Sequence, residues 1–236
     1  IDLDEFGDAS ITTGDIDAGS NDACGIASMS LDNEDFTCAE VGDNTVVLTV
    51  TDNNGNSNTA EATVTVEDNV APDVLTADIT IELDEFGDAS ITTGDIDAGS
   101  DDACGIASMS LDNEDFTCGN VGDNTVELTV EDVNGNVASA TATVTVEDNI
   151  APDVITSAIT VQLDEFGDTS ITAFDVDGGS TDACGIADRR IDVSDFTCSD
   201  VGDNTVELTV EDVNGNIAAA TTTVTVEDNV APTAIC

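Results

Sequence analysis

The run "NTVELTVED", Asn124 to Asp132, alternates along its length: Val126, Leu128 and Val130 fall on one side, and Thr125, Glu127, Thr129 and Glu131 on the other. Successive side chains of a strand point to opposite faces, so a period of two with one apolar face predicts a strand that covers a core on one side only. "ASATATVTVED", Ala138 to Asp148, repeats the pattern, with Ala140, Ala142, Val144 and Val146 opposed to Thr141, Thr143 and Thr145. The "VNGN" between the two runs supplies an Asn-Gly turn, so the pair is predicted to be a hairpin. Upstream, "DITIEL", "ASIT", "GIASMSL" and "DFTC" predict further short strands, and no stretch shows a helical period.

The same set of runs recurs. Leu3, Leu83 and Leu163 each open "LDEFGD", which sets a period of 80 residues (83 − 3 and 163 − 83). From Leu3 to Cys38 and from Leu83 to Cys118 the copies differ only at Asn21 against Asp101. The third copy drifts further, with Thr169 for Ala89, Phe174 for Gly94 and Arg189-Arg190 for Met109-Ser110. Near-identical tandem copies predict an array of autonomous units. About seven short strands in a copy of about 80 residues predict an all-β chain: a tandem array of three immunoglobulin-like β-sandwich domains. Their expected bounds are 1–72, 73–152 and 153–232, with 233–236 opening a further copy. The chain starts directly on "IDLDEFGDAS", with neither an initiator Met nor a signal peptide, and reads as a segment of a longer polypeptide.

Composition narrows the function. Among 236 residues there are 52 acidic and 2 basic side chains and no His, a formal net charge of −50. Nucleic acid and anionic membrane surfaces both demand a basic footprint and are excluded as partners. No apolar run is long enough for membrane insertion. The 40% hydrophobic content, arranged in alternating runs, argues against disorder. With only 3% aromatic residues, the core must be aliphatic and small, which calls for added staples. An enzyme is not expected: without His, Lys or Tyr, acid–base and nucleophilic roles would fall to carboxylates, Ser or Thr, none with a base placed by a motif.

Each copy holds two cysteines 14 positions apart (38 − 24): Cys24 and Cys38, Cys104 and Cys118, Cys184 and Cys198. A copy lacks the four ligands of a usual zinc site and any CxxC redox motif. One disulfide within each copy is the economical expectation, with paired buried thiols as the alternative. Disulfides place a chain outside the reducing cytosol.

"TVEDNVAPD" (Thr65 to Asp73), "TVEDNIAPD" (Thr145 to Asp153) and "TVEDNVAPT" (Thr225 to Thr233) each end a strand-like run on Glu-Asp-Asn and then stiffen the chain with Ala-Pro. In an immunoglobulin-like topology the last strand delivers this cluster beside the near tip of the next domain. Calcium takes six to eight oxygens in irregular geometry, and like charges in a partly desolvated crevice need a cation. Calcium is therefore expected at the first joint among Glu67, Asp68, Asn69, Asp95, Asp97, Asp132, Asn134 and Asn136. At the second joint the corresponding set is Glu147, Asp148, Asn149, Asp175, Asp177, Asp212, Asn214 and Asn216. Taken singly, the same motifs read as a hairpin turn, a solvated strand end and a solvated loop. There is no EF-hand loop.

The pattern "DACGI…FTC…VGDNTVxLTVxDxNGNxxxATxTVTVxDNxAP" resembles the hyalin-repeat-type, immunoglobulin-like modules of very large Bacteroidetes surface proteins, including gliding-type adhesins. It covers essentially the whole chain, three times over. The resemblance implies an extracellular, cell-surface β-sandwich array serving adhesion or as a stalk, without catalytic activity. Related arrays often carry a Cys after the Ala-Pro, where Cys236 stands against Thr76 and Thr156, so its partner is expected beyond this chain. The leading expectation is a calcium-stiffened stalk or fibre whose partners are further copies of the same repeat. The alternatives are a self-assembling filament subunit that packs laterally, and a calcium-dependent glycan- or mineral-binding module. The outward Thr rows read as solvated sheet or as O-glycan acceptors; no Asn-x-Ser/Thr sequon occurs.

Overall fold

The computed structural model describes residues 1–235, so Cys236 and the expectation attached to it lie outside the described residues. The chain divides into two compact units: Ile1–Ile79, Thr92–Asn113 and Thr125–Thr143 form one, and Thr80–Ile91, Glu114–Asn124 and Val144–Cys236 form the other. The first copy lies in the first unit, the third copy in the second, and the middle copy is divided between them.

The third copy shows the strand order most fully. A four-stranded sheet runs Ile159–Gln162, Ile217–Glu227, Gly202–Asp212, Ile186–Ile191 in spatial order. The first pair is parallel and the other two are antiparallel. Asp168–Ser170 pairs with Asp195–Thr197 in a separate two-stranded sheet. Alternation explains the core. Val206, Leu208 and Val210 are completely buried, as is Val224, and Phe196 closes the interior from the second sheet. Burying each such side chain stabilises by roughly 1.5–3 kcal/mol. The first copy repeats the plan with Ile26–Leu31, Gly42–Asp52 and Ser57–Val66 in one sheet and Asp8–Ser10 paired to Asp35–Thr37 in the other. Its core is Leu3, Ile11, Phe36, Val46, Val64 and Val66.

Alternation located the hairpin strands, and "VNGN" is their turn. Asp132 N–H donates to the Asn136 carbonyl at 3.0 Å, while Gly135 takes φ +94°, a conformation that Gly alone adopts without penalty. Two short elements escaped the pattern: a 3-10 turn that opens on the second cysteine of each copy, and a single helical turn at Thr13–Ile16, Thr93–Ile96 and Ala173–Val176. Four residues are too few to show a period of 3.6. Asp15 fixes the first of these turns by accepting from both the Thr12 N–H and the Thr12 hydroxyl, each at 2.7 Å.

The cysteine pairing differs from the sequence expectation. Cys38 bonds Cys104, and Cys118 bonds Cys184, each across a separation of 66 residues. No Cys24–Cys38, Cys104–Cys118 or Cys184–Cys198 bond forms; Cys24 and Cys198 are free and exposed. The reason is geometric. Between Cys24 and Cys38 the chain runs through the six-residue strand Ile26–Leu31, which alone advances about 20 Å at 3.3 Å per residue. Ile26 pairs with Asp52 at one end of the Gly42–Asp52 strand, whereas Cys38 opens the short 3-10 turn Cys38–Glu40 just before its other end. The two cysteines of one copy therefore sit at opposite tips, out of reach of a bond that needs Cα atoms about 5–6 Å apart. The second cysteine of a copy meets the first cysteine of the next copy instead.

Candidate metal centre at the joint

Each unit contains one complete joint between copies. In the first, the strand Ser57–Val66 ends and the chain turns at Asp68, which is only 8% exposed. Asp68 Oδ1 accepts the Val70 N–H at 3.1 Å, but Oδ2 is fully buried and has no hydrogen-bond partner. Facing it is the loop of the next copy. Asp102 Oδ1 there accepts the N–H groups of Cys104 and Gly105 at 2.9 and 3.1 Å. A carboxylate oxygen of Asp68, one of Asp102 and the Cys104 sulfur all lie within 4.8 Å of one another.

A second layer holds the joint in place. Asp132 is 1% exposed, and its Oδ1 accepts the N–H groups of Asn134 and Asn136, both at 2.8 Å. The Asn136 side-chain amide donates to Asp132 Oδ2 at 2.7 Å and to the Asp68 backbone carbonyl at 3.1 Å, so one amide ties the two copies together. Burial opposes the charge on Asp132, yet the donors from Asn136, Asn134 and Gly135 outweigh it and hold the carboxyl below its ordinary range. The homologous Asp52 makes the same turn with Asn54 and Asn56 and is half-exposed.

The second unit repeats the arrangement. Asp148 is 8% exposed with Oδ2 buried and unpartnered, and it clusters with Asp182 and Cys184. Asn216 donates to the Asp148 carbonyl at 2.9 Å and to Asp212 Oδ2 at 2.8 Å. "LDEFGD" also takes part. Gly87 has φ +80°, and a Cβ there would lie 2.6 Å from the Cys118 sulfur and 3.3 Å from Ala183. The glycine makes room for the bond that crosses the joint.

Of the residues that sequence reasoning assigned to calcium, the structure gathers Asp68, Asp132 and Asn136 at the first joint and Asp148, Asp212 and Asn216 at the second. It places the others elsewhere. Asp95 and Asp175 are exposed and accept from Thr92 and Thr172 at their helical turns. Asp97 and Asp177 hold Ser100 and Ser180, and Asp177 also pairs with Arg189 at 2.8 Å. Glu67 and Glu147 are exposed. Asn69 donates to Asp2, and Asn149 to Glu82 and Glu147, all within their own copies. Asn134 and Asn214 contribute backbone N–H groups to the turn. The connection itself explains the displacement of the Asp97 loop. After Pro72 it forms bridges Asp73↔Asp101 and Thr76↔Asp97, so backbone occupies the ground that loose carboxylates were expected to fill. Asp102 and Asp182 are the ligand candidates missing from the expected set; each precedes its "ACG" by one residue, and that adjacency to a cysteine was the available signal.

No family model matches the chain. Among curated proteins it is similar to hyalin of Strongylocentrotus purpuratus, 30% identical over 220 residues, covering 89% of this chain and 18% of that protein. It is also similar to hyalin of Lytechinus variegatus, 31% identical over 209 residues, covering 83% of this chain and 39% of that protein. The chain spans well under half the length of either relative. These matches speak for the hyalin-repeat side of the resemblance. Among solved structures, a protocadherin PcdhgB3 EC1-4 structure is 13% identical with a TM-score of 0.39, covering 89% of this chain and 66% of that one. Mouse clustered PcdhgC3 EC1-3 is 15% identical with a TM-score of 0.34, covering 83% of each chain. Superpositions this loose fix neither strand order nor site.

The donor set at each joint fits a hard divalent cation. A buried carboxylate oxygen without a donor costs at least about 1–3 kcal/mol, and a second carboxylate within 4.8 Å adds repulsion. A cation coordinated by both removes the two penalties together. Among the described residues no Lys or Arg does so, since both arginines pair with Asp177, Asp188 and Glu211.

Proposed function

We propose that this chain is part of an extracellular, adhesive or structural array of hyalin-type repeats, three of them about 80 residues long here, with calcium seated at each joint. The observation that carries the reading is the pair of buried, donorless oxygens, Asp68 Oδ2 and Asp148 Oδ2, on side chains that each bring a carboxylate oxygen within 4.8 Å of a second carboxylate, Asp102 or Asp182. Two carboxylates beside a sulfur that the disulfide leaves a poor donor suit calcium better than zinc. Asp68 and Asp102 would hold the first cation, and Asp148 and Asp182 the second, while Asp132 and Asp212 anchor the turns that carry Asn136 and Asn216. The cation supplies charge neutralisation; Asn136 and Asn216 hold the copies in register whether or not it is bound. Inter-copy disulfides support a location outside the reducing cytosol. Near-identity of the copies supports a structural role over a single binding surface, so glycan binding and lateral assembly rank below it.

Calorimetric titration of the oxidised chain tests this. Two calcium ions should bind with millimolar or tighter affinity, as extracellular modules do at about 10⁻⁴ to 10⁻³ M. Asp68→Asn should remove one of them and leave the other. No heat at millimolar calcium would overturn the cation, and with it the stiffening.

A further inference from the structure

The third member of each carboxylate cluster is a sulfur that the calcium reading leaves unused. Cys104 Sγ lies within 4.8 Å of oxygens of Asp68 and Asp102, and Cys38 Sγ is bonded to it at 2.01 Å. A disulfide sulfur is a poor donor to a hard cation. A thiolate is a strong donor to a soft one. Opening the bond would therefore free the Cys104 sulfur beside two carboxylates and leave the Cys38 sulfur next to it, with the Asp68 side chain, buried and carrying a donorless Oδ2, already a member of the cluster.

We infer that the joint is a redox-switched metal site: closed, it presents carboxylates to a hard cation; opened, it becomes a two-thiolate, two-carboxylate site for zinc or cadmium. The switch is a two-electron reduction by a small-molecule dithiol. The Cys38–Cys104 S–S bond breaks, each sulfur gains a proton and an electron, and the dithiol closes to its own disulfide. The metal then displaces both thiol protons to solvent. Four-coordinate zinc needs sulfurs about 3.8 Å apart, from Zn–S bonds of about 2.3 Å. The backbone holds the two Cα atoms at 5.1 Å, so side-chain rotation alone would open that gap. Cys38 Sγ sits where it does because Gly7 carries no Cβ; one there would lie 2.6 Å from it. The second joint offers Cys118, Cys184, Asp148 and Asp182 in the same way. This inference stands apart from the calcium reading, since it concerns the reduced chain.

The test uses the full chain with Cys24, Cys198 and Cys236 changed to Ser, so that only joint sulfurs remain. Cadmium added to the oxidised protein should give no cadmium–thiolate charge-transfer absorption. After reduction and removal of the reductant, the band should rise and saturate at two metals per chain. Asp68→Asn with Asp148→Asn should keep the band but weaken binding at least tenfold. Circular dichroism, run in parallel, must show that the reduced chain keeps its β spectrum. A reduced chain without the band, one that has lost its fold, or one whose affinity ignores the two Asp changes would each overturn the site. Calcium titration of the oxidised protein is read separately, and its failure would leave this result unmoved.

Discussion

The Asn136 side-chain amide donates to the backbone carbonyl of Asp68, 68 residues earlier, while also donating to Asp132. One planar group thus couples the turn of one copy to the strand exit of the copy before it. Asn136→Ala should leave Asp132 Oδ2 without its donor inside a closed crevice and cost about 1–3 kcal/mol. Asn56→Ala removes the same turn bond where Asp52 is half-exposed, and should cost less. Equilibrium denaturation of the two variants checks the difference; equal losses would mean that the bond to Asp68 contributes nothing.

The Asp68 carboxylate should reverse its effect with calcium. In chelator, Asp68→Asn removes an uncompensated buried charge and should raise the melting temperature, by an amount corresponding to about 1–3 kcal/mol. In saturating calcium the wild type gains binding linkage, about 2.7 kcal/mol at a hundredfold excess over Kd, and the variant should then melt lower. Asp95→Asn should leave the calcium response unchanged. Differential scanning calorimetry with and without chelator reads both.

Peptide mapping without reductant should recover Cys38 linked to Cys104 and Cys118 linked to Cys184. Replacing Cys38 and Cys104 by Ser should cost up to about 4 kcal/mol, the chain-entropy value for a closed span of 66 residues. Gly87→Ala should slow formation of the second bond, because it places a methyl group 2.6 Å from Cys118 Sγ at φ +80°.

Acid should loosen the helical turns. Hydrogen bonds from the Thr12 and Thr92 hydroxyls and N–H groups hold Asp15 and Asp95 below the ordinary carboxylate range, and those of Thr172 do the same for Asp175. A depressed folded pKa stabilises fully above the unfolded value, about 3.9 for Asp, and that contribution disappears as pH falls through the folded value. Stability should therefore be flat through neutrality and fall below about pH 4. Thr92→Val should blunt the fall, read as melting temperature against pH.

Much of the fold was legible because it follows from alternation. Val126, Leu128 and Val130 could face only one way, and "VNGN" could only turn. The position of Asp68 near the next copy's turn was legible too, since a strand that ends a sandwich must leave at its tip. Which carboxylates meet was not. Asp97 and Asp102 lie five residues apart in one acidic loop, and only the three-dimensional path of the Asp73–Thr76 connection decides that the first is occupied and the second is free to face Asp68. The cysteine pairing failed for a related reason. Equal spacing within each copy invites a local bond, but the spacing from Cys38 to Cys104 is equally regular, and only strand length tells the two apart.

That pairing determines where tension would run if the chain were pulled from its ends. Load takes the shortest covalent path, so it would leave the backbone at Cys38, cross through sulfur to Cys104, follow the backbone to Cys118 and cross again to Cys184. The Asn69-Val70-Ala71-Pro72 connection, the buried Asp68 and the Gly42–Asp52 and Ser57–Val66 hairpin would all hang slack on a bypassed loop. A cation at Asp68 would then resist bending without ever bearing axial force. Single-molecule pulling should show this directly: each intact bond withholds 66 residues from extension, and at about 3.3–3.6 Å per residue reduction should release more than 200 Å of new length per joint.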